Sequence, residues 1–111
     1  MAYEVLMDYN VTNDKNAYAA FSIEQHNIEI EIIKSIVSNN CFINITIDSV
    51  KFVEGKSCTV GEPIINHSRN YIDSPLKGDF AFVYIDDTLI NNSFDIQYLG
   101  DKLKLFYIGA D

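Results

Sequence analysis

The stretch Phe42–Val50 alternates apolar and polar side chains, and this pattern constrains the fold more than any other feature. Its isoleucines occupy positions 43, 45 and 47, with polar residues between them. Successive side chains of a β-strand point to opposite faces of a sheet, so this spacing predicts a strand with one buried and one solvated face. The rest of the chain agrees, because isoleucine, valine, phenylalanine and tyrosine dominate its apolar residues.

Three runs near the C-terminus predict an antiparallel meander. Phe80–Ile85 is apolar on both faces, whereas Phe94–Tyr98 and Lys102–Tyr107 alternate. Gly100-Asp101 separates the last two runs. Glycine in the first position suits a type II′ hairpin turn, because that position has a positive φ.

The stretch Ser22–Asn40 has two interpretations. Ser22–Gln25 matches a helix capping box, and several of the following isoleucines fall on one side of a helical wheel. However, Ile28–Ile32 alternates strictly, and β-branched isoleucines lose rotamer freedom in a helix. We favour two strands joined near His26-Asn27, followed by a turn at residues 38–40.

Together these patterns predict an all-β fold, an antiparallel β-sandwich of about seven strands, with one short helix between residues 14 and 38 as the alternative there. A chain of 111 residues supports one ordinary core, so we expect residues 1–111 to form a single domain. The stretch Glu54–Gly78 is rich in glycine, proline, asparagine and serine without periodicity. It predicts a long loop of the kind that often carries function.

The first eight residues lack the positive flank and continuous apolar run of a secretion signal, and no stretch approaches the ~20 apolar residues of a membrane helix. We therefore expect a cytoplasmic protein without membrane contact. The two cysteines, Cys41 and Cys58, are not at a metal-ligand spacing. We predict Cys41 in the core and Cys58 in a loop, both reduced, with a disulfide between them as the alternative.

No motif predicts catalysis, a cofactor or a metal site. The histidines are His26, at a predicted turn, and His67, in the long loop near Arg69, and no nucleophile elbow surrounds any serine. Asp86-Asp87 supplies hard oxygen ligands but lacks the spacing of a calcium loop. We expect a protein that is not an enzyme, and an enzyme built on His67 and Arg69 is the weaker alternative.

Sixteen acidic against eight basic side chains give a formal net charge of -8. This balance repels phosphate backbones, so we expect no direct nucleic-acid binding, and it attracts basic protein partners. Tyrosines beside carboxylates indicate a contact surface, because interface centres favour tyrosine as a rigid anchor with a polar tip. The predicted partner-binding residues are Tyr71, Asp73, Asp79, Tyr84, Asp86 and Asp87.

In size, acidity and absence of a secretion signal or catalytic motif, the chain resembles the immunity proteins of bacterial contact-dependent growth inhibition and related polymorphic toxin systems. The resemblance implies an antitoxin that neutralises a basic toxin domain, frequently a nuclease, by covering its active-site cleft. Carboxylates of the chain would then stand in for substrate phosphates. The alternatives are a phage-encoded inhibitor of a host nuclease complex and a β-sandwich that binds a small ligand or carbohydrate.

Overall fold

Two antiparallel β-sheets enclose one apolar core in a computed structural model of the chain. The structure describes residues 2–9, 15–35, 40–65 and 75–109. The strands are β1 (Ala2–Glu4), β2 (Asp8–Tyr9), β3 (Lys15–Ile23), β4 (His26–Lys34), β5 (Cys41–Ile47), β6 (Val50–Ser57), β7 (Asp79–Tyr84) and β8 (Leu103–Ile108). Two short 3-10 helices, Asp87–Leu89 and Ile96–Tyr98, lie between β7 and β8. The predicted all-β sandwich is confirmed.

The larger sheet has the order β2-β3-β4-β5-β6 and follows the chain as a meander. Its centre is the β4–β5 pair, in which Ile30 lies opposite Ile45 and Ile32 lies opposite Ile43. These isoleucines are fully buried, and each stabilises the fold by about 1.5–3 kcal/mol relative to an exposed side chain. The predicted strand in Phe42–Val50 is confirmed, although it ends at Ile47.

The start of Ser22–Asn40, the stretch with two interpretations, completes β3, turns and forms β4. The two-strand prediction is therefore confirmed. The turn lies at Glu24–Gln25, just before the predicted junction, and both residues have positive φ, 53° and 67°. The alternative of a helix between residues 14 and 38 is wrong for the described residues 15–35, which are extended apart from this turn. Alternation decides the outcome, because the isoleucines at every second position of β4, Ile28, Ile30 and Ile32, pack into the core.

The smaller sheet has the order β1-β8-β7. The predicted three-stranded meander is wrong, because Phe94–Tyr98 contains a 3-10 helix and β8 pairs directly with β7. The Asp95 carboxylate accepts hydrogen bonds from both the backbone and the side chain of Gln97, which favours the helical turn over a strand. Gly100 does have the predicted positive φ, 89°, but its turn leads from this helix into β8.

The predicted loop Glu54–Gly78 begins within β6, which continues to Ser57. Gly55 has a φ of 66°, and its N–H donates to the Asn44 side chain on β5, so this glycine lies in a strand irregularity. Cys41 is buried at 4% exposure, as predicted, and Cys58 is partly buried. Both cysteines are free thiols.

Candidate binding cleft

A cleft of about 1150 Å³ opens between the two sheets at one end of the sandwich, which we call the open end. The N-terminal strand, the end of β3, the approach to β7 and the end of β8 form its walls. The residues central to its chemistry are Tyr3, Leu6, Phe21, Glu24, Lys77 and Tyr107. A cleft of this size admits the side chains of a bound segment or a small ligand.

Aromatic rings form the base of the cleft. The β1–β8 register places Tyr3 opposite Tyr107, and their rings stack with centroids 6.1 Å apart and planes 7° apart. Phe80 of β7 lies 5.1 Å from the Tyr107 ring and makes an edge contact with Phe21 of the larger sheet. These contacts join the two sheets and make the base apolar.

The Glu24 carboxylate ties the β3–β4 turn to the smaller sheet across the cleft. It accepts a 2.5 Å hydrogen bond from the Tyr107 hydroxyl and one of 3.1 Å from the Lys77 backbone N–H. The Tyr107 hydroxyl in turn accepts from the Gly78 N–H at 2.9 Å. Three segments distant in sequence therefore meet at one carboxylate and one phenol.

This polar cluster shifts the pKa of both acids in opposite directions. Hydrogen bonds from the Tyr107 hydroxyl and the Lys77 N–H hold the pKa of Glu24 below its ordinary value. Burial, and then the bond to the charged Glu24, raise the pKa of Tyr107 to about 12. At neutral pH the cleft therefore contains a carboxylate and a protonated phenol.

A second carboxylate joins the two hairpin turns beside the cleft. Asp48 Oδ1 accepts from the Asn27 backbone N–H at 2.9 Å, and Asp48 Oδ2 lies 2.5 Å from His26 Nδ1. The Asn27 hydrogen bond, followed by the one with His26, lowers the pKa of Asp48. The imidazole is thus held at the cleft wall by the turn of the neighbouring hairpin.

The rim of the cleft exposes apolar side chains and an unpaired strand edge. Leu6 is 80% exposed and Tyr3 is 50% exposed. Strand β1 pairs with β8 on one side, and no other described strand pairs with its second side. An exposed edge offers backbone N–H and C=O groups to an incoming segment. The open end therefore combines an apolar cleft with free hydrogen-bonding capacity.

Among the described residues, none of the predicted partner-binding side chains lines this cleft, and Asp79 and Tyr84 lie at opposite ends of β7. Asp79 begins β7 and accepts from the backbone N–H groups of Ile65 and Phe80. Tyr84 ends that strand, is only 4% exposed, and donates its hydroxyl to the Ser93 carbonyl. With the length of β7 between them, these two residues lie roughly 16 Å apart along the strand.

The other four predicted contact residues lie either at the first 3-10 helix or outside the described residues. Asp86 caps the first 3-10 helix by accepting from the Thr88 N–H and hydroxyl, which lowers the pKa of Asp86. Asp87 is exposed in that helix, and its contact role stays a prediction. Tyr71 and Asp73 lie outside the described residues, as does His67.

The cleft residues were missed in the sequence because they come from four stretches that are far apart in the chain. Glu24 has a positive φ at a turn position where asparagine or glycine is usual, and this feature is visible only once the structure places the turn. In the described ranges, no three side chains of the metal-binding types group together. No helix in those ranges is both long and apolar enough to cross a membrane.

Comparison with known proteins assigns the chain to a family. A family model described as "Cyanophage baseplate Pam3 plug gp18" matches residues 7–110 of the 111. No curated protein sequence matches the chain. The match begins after β1 and covers the whole larger sheet together with β7 and β8 of the smaller sheet.

This match corrects the functional prediction. The chain is not an immunity protein, and a basic toxin or nuclease domain is not its partner, because the matching family consists of phage baseplate components. The match likewise supports neither an inhibitor of a host nuclease nor a ligand-binding sandwich. Net acidity misled the prediction, because Asp79, Asp86 and Asp48 use their carboxylates within the fold. With nearly its whole length matched, the chain belongs to the family of the cyanophage Pam3 baseplate plug protein gp18.

Proposed function

We propose that the chain is a structural subunit of a phage baseplate, in which it acts as a plug. The observation that carries this proposal is the family match over residues 7–110. The role is one of assembly and requires no catalytic group. We place its synthesis and assembly in the host cytoplasm, where its partners are other baseplate proteins.

The open end is the surface we assign to a neighbouring baseplate protein. Leu6 and Tyr3 stand at the rim of an apolar cleft, and the outer edge of β1 is unpaired among the described strands. An extended segment with apolar side chains fits both features, since its backbone would extend the β1 sheet while its side chains enter the cleft. Burying Leu6 in this way would contribute about 1.5–3 kcal/mol.

A charge substitution at the rim tests the proposal. Leu6→Glu places a carboxylate where the partner requires an apolar side chain, so incorporation into particles should fall at least about tenfold. Ile90→Glu is the matched control, because Ile90 is 61% exposed but does not line the cleft. The assay complements a phage lacking the gene with each variant and quantifies the chain in purified particles.

The two variants separate assembly from folding. Both positions are exposed, so the free energy of unfolding of each variant should lie within about 0.5 kcal/mol of the wild-type value. Equal incorporation of Leu6→Glu and Ile90→Glu would reject the open end as the contact surface. Absence of the wild-type chain from purified particles would reject the baseplate role itself.

A further inference from the structure

The two cysteines face each other across neighbouring strands. The β5–β6 register pairs Phe42 with Ser57 and Ile43 with Lys56, and its continuation by one residue places Cys41 opposite Cys58. The Cys58 N–H donates to the Cys41 carbonyl at 2.9 Å, which confirms that the pairing extends this far. Directly opposite residues of an antiparallel pair project from the same face of the sheet.

This arrangement meets the geometric requirement for a disulfide. Hydrogen-bonded antiparallel pairs have Cα atoms about 5.5 Å apart, within the range of about 4.4–6.8 Å that disulfides span. No backbone rearrangement is needed to bring the strands together, because the ladder already does so.

The two thiols differ in accessibility. Cys41 is buried at 4% exposure, whereas Cys58 is partly exposed where the chain leaves β6. Burial raises the pKa of both thiols, and the adjacent Cys41 thiol adds to the rise at Cys58. Little thiolate is therefore present at neutral pH, so the reduced pair reacts slowly. An oxidant meets Cys58 first.

We propose that Cys41 and Cys58 are a redox pair that closes to a disulfide when the chain passes from a reducing to an oxidising environment. The chemistry is thiol–disulfide exchange with a small disulfide such as oxidised glutathione. The Cys58 thiolate attacks that disulfide and releases one glutathione thiol. The Cys41 thiolate then attacks the Cys58 sulfur and releases the second, so two protein thiols are oxidised and one glutathione disulfide is reduced.

The timing of this reaction rests on the proposed function, whereas the pairing itself does not. A phage component assembles in the reducing host cytoplasm and acts after release, where disulfides persist. The bond would cross-link the β5–β6 hairpin at the end opposite its Asp48–Ser49 turn. It would also fix the chain just before Val60, which bridges to Phe82 in the other sheet.

The test uses the full chain, purified with reductant and then equilibrated with oxidised glutathione under native conditions. Peptide mapping and intact mass should show loss of two hydrogens and a Cys41–Cys58 linkage in a monomer. The thermal midpoint should rise by roughly 5–15 °C and return on addition of dithiothreitol. Cys58→Ser, the control at the more exposed position, should show no redox-dependent shift.

Three results would overturn the inference. These are a stable glutathione adduct on Cys58 with Cys41 still reduced, disulfide-linked dimers, and both thiols intact while the unfolded chain oxidises normally. The experiment is independent of phage particles. Failure here leaves the baseplate role standing, and absence of the chain from particles leaves the cysteine pairing standing.

Discussion

The two ends of the sandwich differ in how the core is covered. At the end opposite the cleft, which we call the covered end, the 3-10 helices lie over the core, with Phe94 packed edge-on against Phe82 at 4.8 Å. There the Tyr84 hydroxyl is satisfied by the Ser93 carbonyl. At the open end, the aromatic base of the cleft is reached from solvent past Tyr3 and Leu6. The core is covered at one end, whereas apolar side chains are exposed at the other.

Two connections that the structure describes in full differ in length between the ends. The segment between β7 and β8 covers residues 85–102 and is long enough to fold over the core. At the open end, the β3–β4 connection is the two-residue turn Glu24–Gln25, which is too short to cover anything. The sheets are held together there by the Phe21–Phe80 ring contact and by the hydrogen bonds that Glu24 accepts from the Tyr107 hydroxyl and the Lys77 N–H.

The largest expected effect is on the free energy of unfolding, when a side chain at each end is truncated to alanine. Phe82→Ala removes a fully buried ring and should lower the free energy of unfolding by about 3–5 kcal/mol. Leu6→Ala removes a side chain that is mostly in solvent and should change it by less than about 0.5 kcal/mol. Urea denaturation measures both changes in free energy. Similar losses of stability in the two variants would contradict the distinction between the covered end and the open end.

The next effect concerns the close approach of strands beside the cleft. A Cβ added at Gly78 would lie 2.1 Å from the Ile108 carbonyl oxygen, which is a backbone atom that cannot move aside alone. Gly78→Ala should therefore destabilise the fold by about 1–3 kcal/mol and weaken the Gly78–Tyr107 hydrogen bond. Thermal denaturation tests this, and an unchanged midpoint would mean that β7 and β8 are not so tightly packed here.

A smaller effect should appear in the pH dependence of the Glu24–Tyr107 link. The folded pKa of Glu24 is lowered from 4.5, so the link stabilises the fold fully above that pH and is lost as pH falls through the lowered value. Glu24→Gln should cost about 1 kcal/mol near neutrality, and its difference from wild type should shrink in acid. Unfolding free energies measured from about pH 7 to pH 3 test the sign. A difference that grows on acidification would contradict it.

The smallest effect concerns the turn of the neighbouring hairpin. Ser49 has a φ of 68°, a conformation in which glycine avoids the steric cost of a side chain. Ser49→Gly should raise the unfolding free energy by roughly 0.5 kcal/mol, and it leaves the Asp48–His26 contact intact. A loss of stability in chemical denaturation would show that the serine side chain has a role that outweighs its strain.

Local patterns in the sequence predicted the larger sheet well. In β4 and β5, alternation leaves only one arrangement in which the isoleucines are buried, and the structure has it. The same reasoning failed at Phe94–Tyr98, where the side chain of Asp95 competes for the backbone and starts a helical turn. Alternation therefore predicts a strand only where no capping residue offers the backbone another partner.

The cleft could not be predicted by such reasoning. The Tyr3–Tyr107 stack depends on a pairing between the first and last strands, and the Tyr107–Glu24 bond joins residues 83 positions apart. Net charge was a poor guide to the partner surface, because it does not show which carboxylates form hydrogen bonds within the fold. Asp79, for example, accepts two backbone hydrogen bonds at the start of β7.

The most direct test of the central claim is a cryo-electron microscopy reconstruction of the baseplate of the phage that encodes this chain. We expect the sandwich to be present with its open end against a neighbouring subunit and with Leu6 and Tyr3 buried. An extended segment of that neighbour should lie beside β1. A baseplate without the chain, or one in which Leu6 still faces solvent, would contradict the claim.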